Sequence, residues 1–169
     1  VNSGNNSSTK AGLPTDITVN EGVPKAAGTL ADAPSGFRVW TPIGNAEAPF
    51  SGTFDGRGKT IYGLYIDSTK DFVGLFGVTA KNSVIADVAV SDSYFKGNVC
   101  VGGICGSNSS VVQNCINNAT VVGKSSVGGL FGVNMGIIFF VKNSGYVTGV
   151  ENVGGVCGYH SDANSDTYI

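Results

Sequence analysis

Apolar and polar residues alternate in short runs along this chain, and the runs repeat. A six-residue phrase occurs four times: Phe72-Val73-Gly74-Leu75-Phe76-Gly77, Val101-Gly102-Gly103-Ile104-Cys105-Gly106, Val127-Gly128-Gly129-Leu130-Phe131-Gly132 and Val153-Gly154-Gly155-Val156-Cys157-Gly158. Between Gly74, Gly103, Gly129 and Gly155 the steps are 29, 26 and 26 residues, the self-similarity that marks a solenoid. Phe50-Ser51-Gly52-Thr53-Phe54 falls onto the first phrase at a step of 22 and reads as a fifth, degenerate copy. A second strand aligns in two apolar columns, Ile61, Ile85, Val112 and Ile138, then Leu64, Val88, Cys115 and Val141. A third short strand ends the later units at Phe95-Lys96-Gly97, Val121-Val122-Gly123 and Val147-Thr148-Gly149.

Three short strands in 26 residues, turned at glycine- and asparagine-rich corners, predict the rung of an all-β parallel β-helix whose coils stack ~4.8 Å apart. Glycines are expected at the corners because a chain that turns so often needs positive φ or close backbone approach there. Three extra residues between Gly77 and Phe95 enlarge a corner of one rung. Asn117 and Asn143 stand one rung apart, placed either to hydrogen-bond along a column or to serve as ordinary turn residues.

The same pattern divides the chain. Residues 1–12, with Asn2-Ser3-Gly4-Asn5-Asn6-Ser7-Ser8-Thr9, lack what a core needs and are expected to form a disordered leader or linker. Residues 13–169 show no shift of composition and read as a single β-helix domain, a fragment of a longer array. Within it Asp16-Ile17-Thr18-Val19 and Phe37-Arg38-Val39-Trp40 alternate as strands do, and Lys25 to Gly36 reads as a loop. Trp40, the single tryptophan, is expected to close the first turns as a core or cap residue.

Composition narrows the partners. Only 13% of residues are charged and the net charge is −2, so no basic stripe draws in nucleic acid or anionic lipid. No apolar run approaches the ~18 residues that argue for a membrane span, so no membrane insertion is expected. The four cysteines lack zinc-like spacing. Reading down the first strand, Phe54, Phe76, Cys105, Phe131 and Cys157 share a column, which makes Cys105 and Cys157 small buried hydrophobes. They lie two rungs, roughly 9.6 Å, apart, beyond disulfide reach. A Cys105–Cys115 bridge stays open. Cys100, in a column with Asp71, Ser126 and Asn152, is expected at a polar corner as the accessible thiol. Free thiols fit a reducing or anaerobic habitat.

Little in the chain carries chemistry. His160 is the single histidine, in what reads as a loop after the last phrase, and any histidine-dependent catalysis must run through it. Asp162, Asn164 and Asp166 follow with the D-x-N-x-D spacing of an oxygen-rich calcium loop. The glycine that such a loop needs next is Thr167, so calcium is a weak candidate and no other cofactor is expected. Asp55-Gly56-Arg57-Gly58-Lys59-Thr60 lacks the spacing of a phosphate loop and reads as a tight corner between rungs. Asp67, Asp71, Asp87 and Asp92 fall at different corners rather than in one pair. N-x-[ST] matches at Asn5, Asn6, Asn108 and Asn118 are what chance gives in so Asn- and Ser-rich a chain.

The repeated Val-Gly-Gly-Leu-Phe-Gly followed by Asn134-Met135-Gly136-Ile137 resembles the GLUG motif of bacterial surface proteins. Trp40-Thr41-Pro42-Ile43-Gly44 and the stretch from Phe50 to Leu64 are similar to the lead-in of such arrays in Bacteroides-type proteins, and the match covers roughly residues 13 to 169. The resemblance implies a right-handed β-helix in secreted or cell-surface proteins, including adhesins and the non-catalytic regions of IgA-cleaving metallopeptidases. The expectation is therefore a non-enzymatic extracellular module for adhesion, or a stalk, that meets host glycan or extracellular protein. End-to-end self-association would cover bare strand edges. The alternatives are a polysaccharide-processing β-helix and a calcium-stabilised scaffold.

Overall fold

In the turn that begins at Val99, inward and outward positions alternate until a corner breaks the alternation, and at each corner the chain swings onto another side of a closed coil. Val101, Ile104, Cys105, Val112, Cys115 and Val121 point inward and are fully buried. Asn114 and Asn118 face out, whereas Asn108, Ser110, Asn117 and Thr120 are polar yet buried. The computed structural model describes residues 10–23 and 36–161, which build a parallel β-solenoid of about four turns with no helix among them. Every strand pairing is parallel, as stacking of successive rungs requires.

Three sheets run along the stack. One carries Val99–Gly102, Ser125–Gly128 and Glu151–Gly154, paired Val101↔Val127 and Val127↔Val153. The second carries Phe76–Val78, Cys105–Asn108, Phe131–Asn134 and Cys157–His160. Its register is Phe76↔Cys105, Cys105↔Phe131 and Phe131↔Cys157, the expected column. The third sheet holds the remaining two strands of each rung. They run together as Val84–Lys96 in one turn and divide into Val111–Gln113 and Ile116–Val122 in the next. Ile85, Val112 and Ile138 stack as expected, and so do Phe95, Val121 and Val147. Trp40 packs against the core and donates its ring N–H to the Leu75 carbonyl at 3.2 Å, holding the upper turn down.

The enlarged rung is resolved into two places. Thr79 and Val84 are separated by two residues more than Asn108 and Val111, and one further residue is absorbed beside Ser93, where the register shifts against Asn118/Thr120.

Four expectations are corrected. The fifth copy is not Phe50 to Phe54: Ile43 bridges Phe76, so Thr41-Pro42-Ile43-Gly44 is that turn's phrase. Phe54 lies instead above Ile85, and Ile61 above Val90 rather than Ile85. The similarity misled because Phe54 fills the same interior, meeting Phe76 edge-on across the core with ring centroids 5.4 Å apart. Val73, second, does not replace Gly102, because it bridges Val101, and the corner above Cys100 is Phe72 rather than Asp71. Third, the segment Asp55 to Thr60 turns within a rung, inside the strand Thr53–Tyr62. Fourth, the expected leader supplies a strand: Lys10–Gly12 pairs with Thr53, Phe54 and Asp55.

The corners also work differently from the expectation. Two ladders of ordinary residues take the left-handed conformation: Arg57, Asp87, Asn114 and Phe140 at φ 53, 55, 52 and 51°, and Phe72, Cys100, Ser126 and Asn152 at φ 59, 59, 53 and 51°. The glycines of the phrase answer the second need, close approach. A side chain on Gly129 would collide with the Gly155 carbonyl and the Asn143 amide. One on Gly132 would stand 2.6 Å from the Cys100 Cα.

Candidate functional site

The sole histidine ends a stacked column. Thr79, Asn108, Asn134 and His160 each lie three residues beyond the Phe76, Cys105, Phe131 and Cys157 column, and they stack through the solenoid as a polar ladder whose first three members are buried and whose last, His160, is half-buried. Thr79 Oγ1 donates to Asn108 Oδ1 at 2.9 Å, Asn108 Nδ2 to Asn134 Oδ1 at 2.7 Å, and Asn134 Nδ2 lies 3.2 Å from His160 Nδ1. His160 therefore ends a strand instead of lying in a loop, and its Nδ1 receives the amide proton. Asn117 and Asn143 form the second such ladder, Nδ2 to Oδ1 at 3.0 Å, and each amide also closes on the backbone two residues ahead. The first ladder went unread in the sequence, although its members keep a constant offset from the glycine phrase. Thr79 and His160 at its ends break the identity that made the second one visible.

The thiols are likewise structural. All four cysteines are free, so Cys105 and Cys115 are unbridged. Burial pushes both thiols up to about 12. Cys100 is buried, its thiol raised by burial and then by nearby Asp71, which corrects the expectation of an accessible thiol there. Its left-handed corner is closely overlain by the neighbouring phrase, Gly132 lying against the Cys100 backbone. Cys157 is the least buried of the four. A thiol reagent should therefore modify Cys157 first and reach Cys100, Cys105 and Cys115 only on unfolding. Mass mapping of the first labelled peptide checks this, and early labelling of Cys100 would refute the placement.

The acids stay apart. Asp67 pairs with Lys96 at 2.8 Å, Asp71 accepts from Asn98 Nδ2 and Val99 N, and Asp87 accepts from Asn114 Nδ2 at 2.9 Å. Asp92 lines an open cleft of about 320 Å³ with Thr18, Asn20, Glu21, Gly22 and Tyr62. The Asn20 amide there is committed to the fold, donating to the Arg38 and Gly63 carbonyls and accepting from Arg38 N. Among the described residues no three His, Cys, Asp or Glu side chains converge as metal ligands. Asp162, Asn164 and Asp166 lie outside the described residues. Of the N-x-[ST] matches, Asn108 is fully buried within its ladder, Asn118 is exposed, and Asn5 and Asn6 lie outside the described residues.

What the outer surface offers is an apolar patch that the repeat pattern did not announce. In the rung from Val111, the outward residues of the corner and strand are Ser109, Val111, Gln113 and Asn114. Directly below them, in register, are Met135, Ile137, Phe139 and Phe140, exposed by 43, 47, 45 and 86%. Lys81 shares a shallow hollow with Met135 and Ile137, and exposed Lys142 follows two residues after Phe140.

Comparison with known proteins adds a fold and little else. No family model matches the chain. Over 56 residues, 32% of this chain, it is 34% identical to a protein of Evansella cellulosilytica described as a candidate Gly-rich membrane protein, and spans 6% of that protein. Among crystal structures, a candidate immunoglobulin A1 protease from Bacteroides ovatus matches 94% of this chain with a TM-score of 0.58 at 19% identity. The chain spans 57% of that structure, and the likeness is one of fold. No helix among the described residues is long and apolar enough to cross a membrane.

Proposed function

We propose that this chain is a non-catalytic β-helix module that presents its side faces to an extracellular partner, host glycan or matrix protein, as the adhesin-like proteins with GLUG-type phrases do. The observation that carries this reading is the register. Cys105, Phe131 and Cys157 stack directly at 26-residue steps, so each 26 residues lengthen the stack by one strand spacing, ~4.8 Å. That is roughly 0.2 Å per residue against ~1.5 Å in an α-helix. Such a coil is a poor spacer and an efficient way to display broad lateral surface, which favours adhesion over a stalk.

The engagement of His160 in the polar ladder supports a non-catalytic role, because a histidine general base must face its substrate. A second reading, polysaccharide processing, would operate from the cleft between Glu21 and Asp92. End-to-end pairing of rung edges is a further mode of self-association that fits the fold. The test is a glycan and host-matrix array probed with the full chain. Retention on one glycan or matrix class without chain cleavage is expected. Depolymerisation of a bound polysaccharide, lost in Glu21→Gln and Asp92→Asn, would replace this reading with the enzymatic one, and an array with no retention would remove it.

A further inference from the structure

From the apolar patch on the lower turn we infer a protein-docking site for a segment with apolar anchors and flanking carboxylates. The inference deepens the adhesive reading and rests on it only in taking the module to bind rather than catalyse. Its first support is positional. Met135, Ile137, Phe139 and Phe140 project from the outside of the coil, in register with Ser109, Val111, Gln113 and Asn114 of the rung above. Phe140 stands under exposed Asn114, so its exposure belongs to the corner column, while Met135, Ile137 and Phe139 stand under half-buried Ser109, Val111 and Gln113.

The second support is size and kind. At the exposures found, the four side chains offer roughly 500 Å² of apolar surface, as large as the biggest patch on an ordinary monomer. Phe140 alone is 86% exposed, in the left-handed conformation that Asn114 and Asp87 take above it. Solvation favours Asn or Asp at such a corner, and phenylalanine there gains nothing from the fold. Methionine and aromatic residues are enriched at protein interfaces. Glycan faces favour aromatics that also hydrogen-bond, which Phe139 and Phe140 cannot do.

The third support is charge, which selects the partner. Exposed Lys81 and Lys142 lie on the two flanks of the patch. The acid of the Phe140 column, Asp87, is two rungs up and already accepts from Asn114, which stands between them. Two copies facing each other across this patch would bring lysine against lysine, so a second copy is disfavoured, whereas carboxylates flanking apolar anchors would meet complementary charge.

The test uses the full chain and labelled synthetic peptides of about twelve residues, two of them aromatic anchors flanked by Asp and Glu, read by fluorescence anisotropy. Matched peptides carry Lys in place of the acids. Phosphatidylglycerol vesicles and sedimentation of the protein alone form the other arms. Acidic peptides should bind with Kd below ~100 μM and the lysine versions at least about tenfold more weakly. Phe139→Gln with Phe140→Asn, which installs the residues of the rung above, should weaken binding at least about tenfold at unchanged Tm. Lys81→Glu with Lys142→Glu should reverse the peptide preference. Should the double variant fold poorly, Phe140→Asn alone keeps the test, since Asn114 already takes that conformation. No binding of acidic peptides at ~1 mM, binding untouched by the patch variants, retention on vesicles alone, or a patch-dependent dimer would each overturn the inference. Glycan retention that survives Phe139→Gln/Phe140→Asn would leave the adhesive reading standing and remove this site.

Discussion

Replacing Asn108 with alanine should lower the stability of the solenoid by about 4 kcal/mol, more than any surface change of the same residue type. The amide is fully buried and joins three turns. Its Oδ1 accepts from Thr79 Oγ1 at 2.9 Å, Ser110 N at 3.1 Å and Ser110 Oγ at 2.6 Å, and its Nδ2 donates to Ser110 O and to Asn134 Oδ1. Alanine strips partners from a fully buried corner, and each buried polar group left unmatched costs ~1–3 kcal/mol. Water entering the vacated space recovers part of that, which sets the figure near 4 rather than higher. Asn118, exposed and bonded to Ser91 Oγ at 3.0 Å, is the control, and its alanine variant should shift stability by less than about 0.5 kcal/mol. Urea unfolding midpoints of the two variants decide the matter. Equal losses would mean that the ladder adds nothing to the fold. Asn134→Ala should combine with Asn108→Ala less than additively, because the two share one hydrogen bond.

How much of this was legible in the sequence depends on whether a column kept its residue type. Cys105, Phe131 and Cys157 could be aligned because the glycines around them fix the register, and close backbone approach at Gly129 and Gly132 tolerates nothing larger. Asn117 above Asn143 was legible through identity. The Thr79–Asn108–Asn134–His160 ladder was not, since hydrogen bonding down a column asks only for a donor and an acceptor at each level, a condition that threonine, asparagine and histidine meet with different side chains. The upper turn was misaligned for a related reason. Phe54 and Phe76 touch across the core, and a string of residues cannot distinguish a neighbour across the interior from a neighbour along the stack. The patch at Met135 to Phe140 was readable as an apolar run, yet the alternation of strands conceals which members face out until Ile138 is placed on Val112.

Alkali should destabilise the protein steeply, and the buried thiols set the window. Desolvation pushes Cys105 and Cys115 up to about 12 from an ordinary 9.0. A group whose folded pKa is raised contributes stability that is complete below the unfolded value and is lost as pH climbs toward the folded one, because only the unfolded thiol releases its proton in between. The window is therefore 9 to about 12, with a slope of roughly 1.4 kcal/mol per pH unit for each thiol. Two thiols over two units give a loss of roughly 5 kcal/mol by about pH 11, comparable to the whole stability of many domains. Alkali acts on more than these two thiols, so the measurement is a comparison. Stability under reducing conditions is followed from about pH 8 to about pH 11 for the natural chain and for Cys105→Ala/Cys115→Val, the second substitution matching Val88 and Val141 of its own column. The variant starts less stable, since alanine leaves a void beside Phe76 and Phe131, and should then decline more gently, so that the two curves converge and cross. Parallel curves would show that neither thiol is held neutral by the core, and the interior around Phe131 would have to admit water.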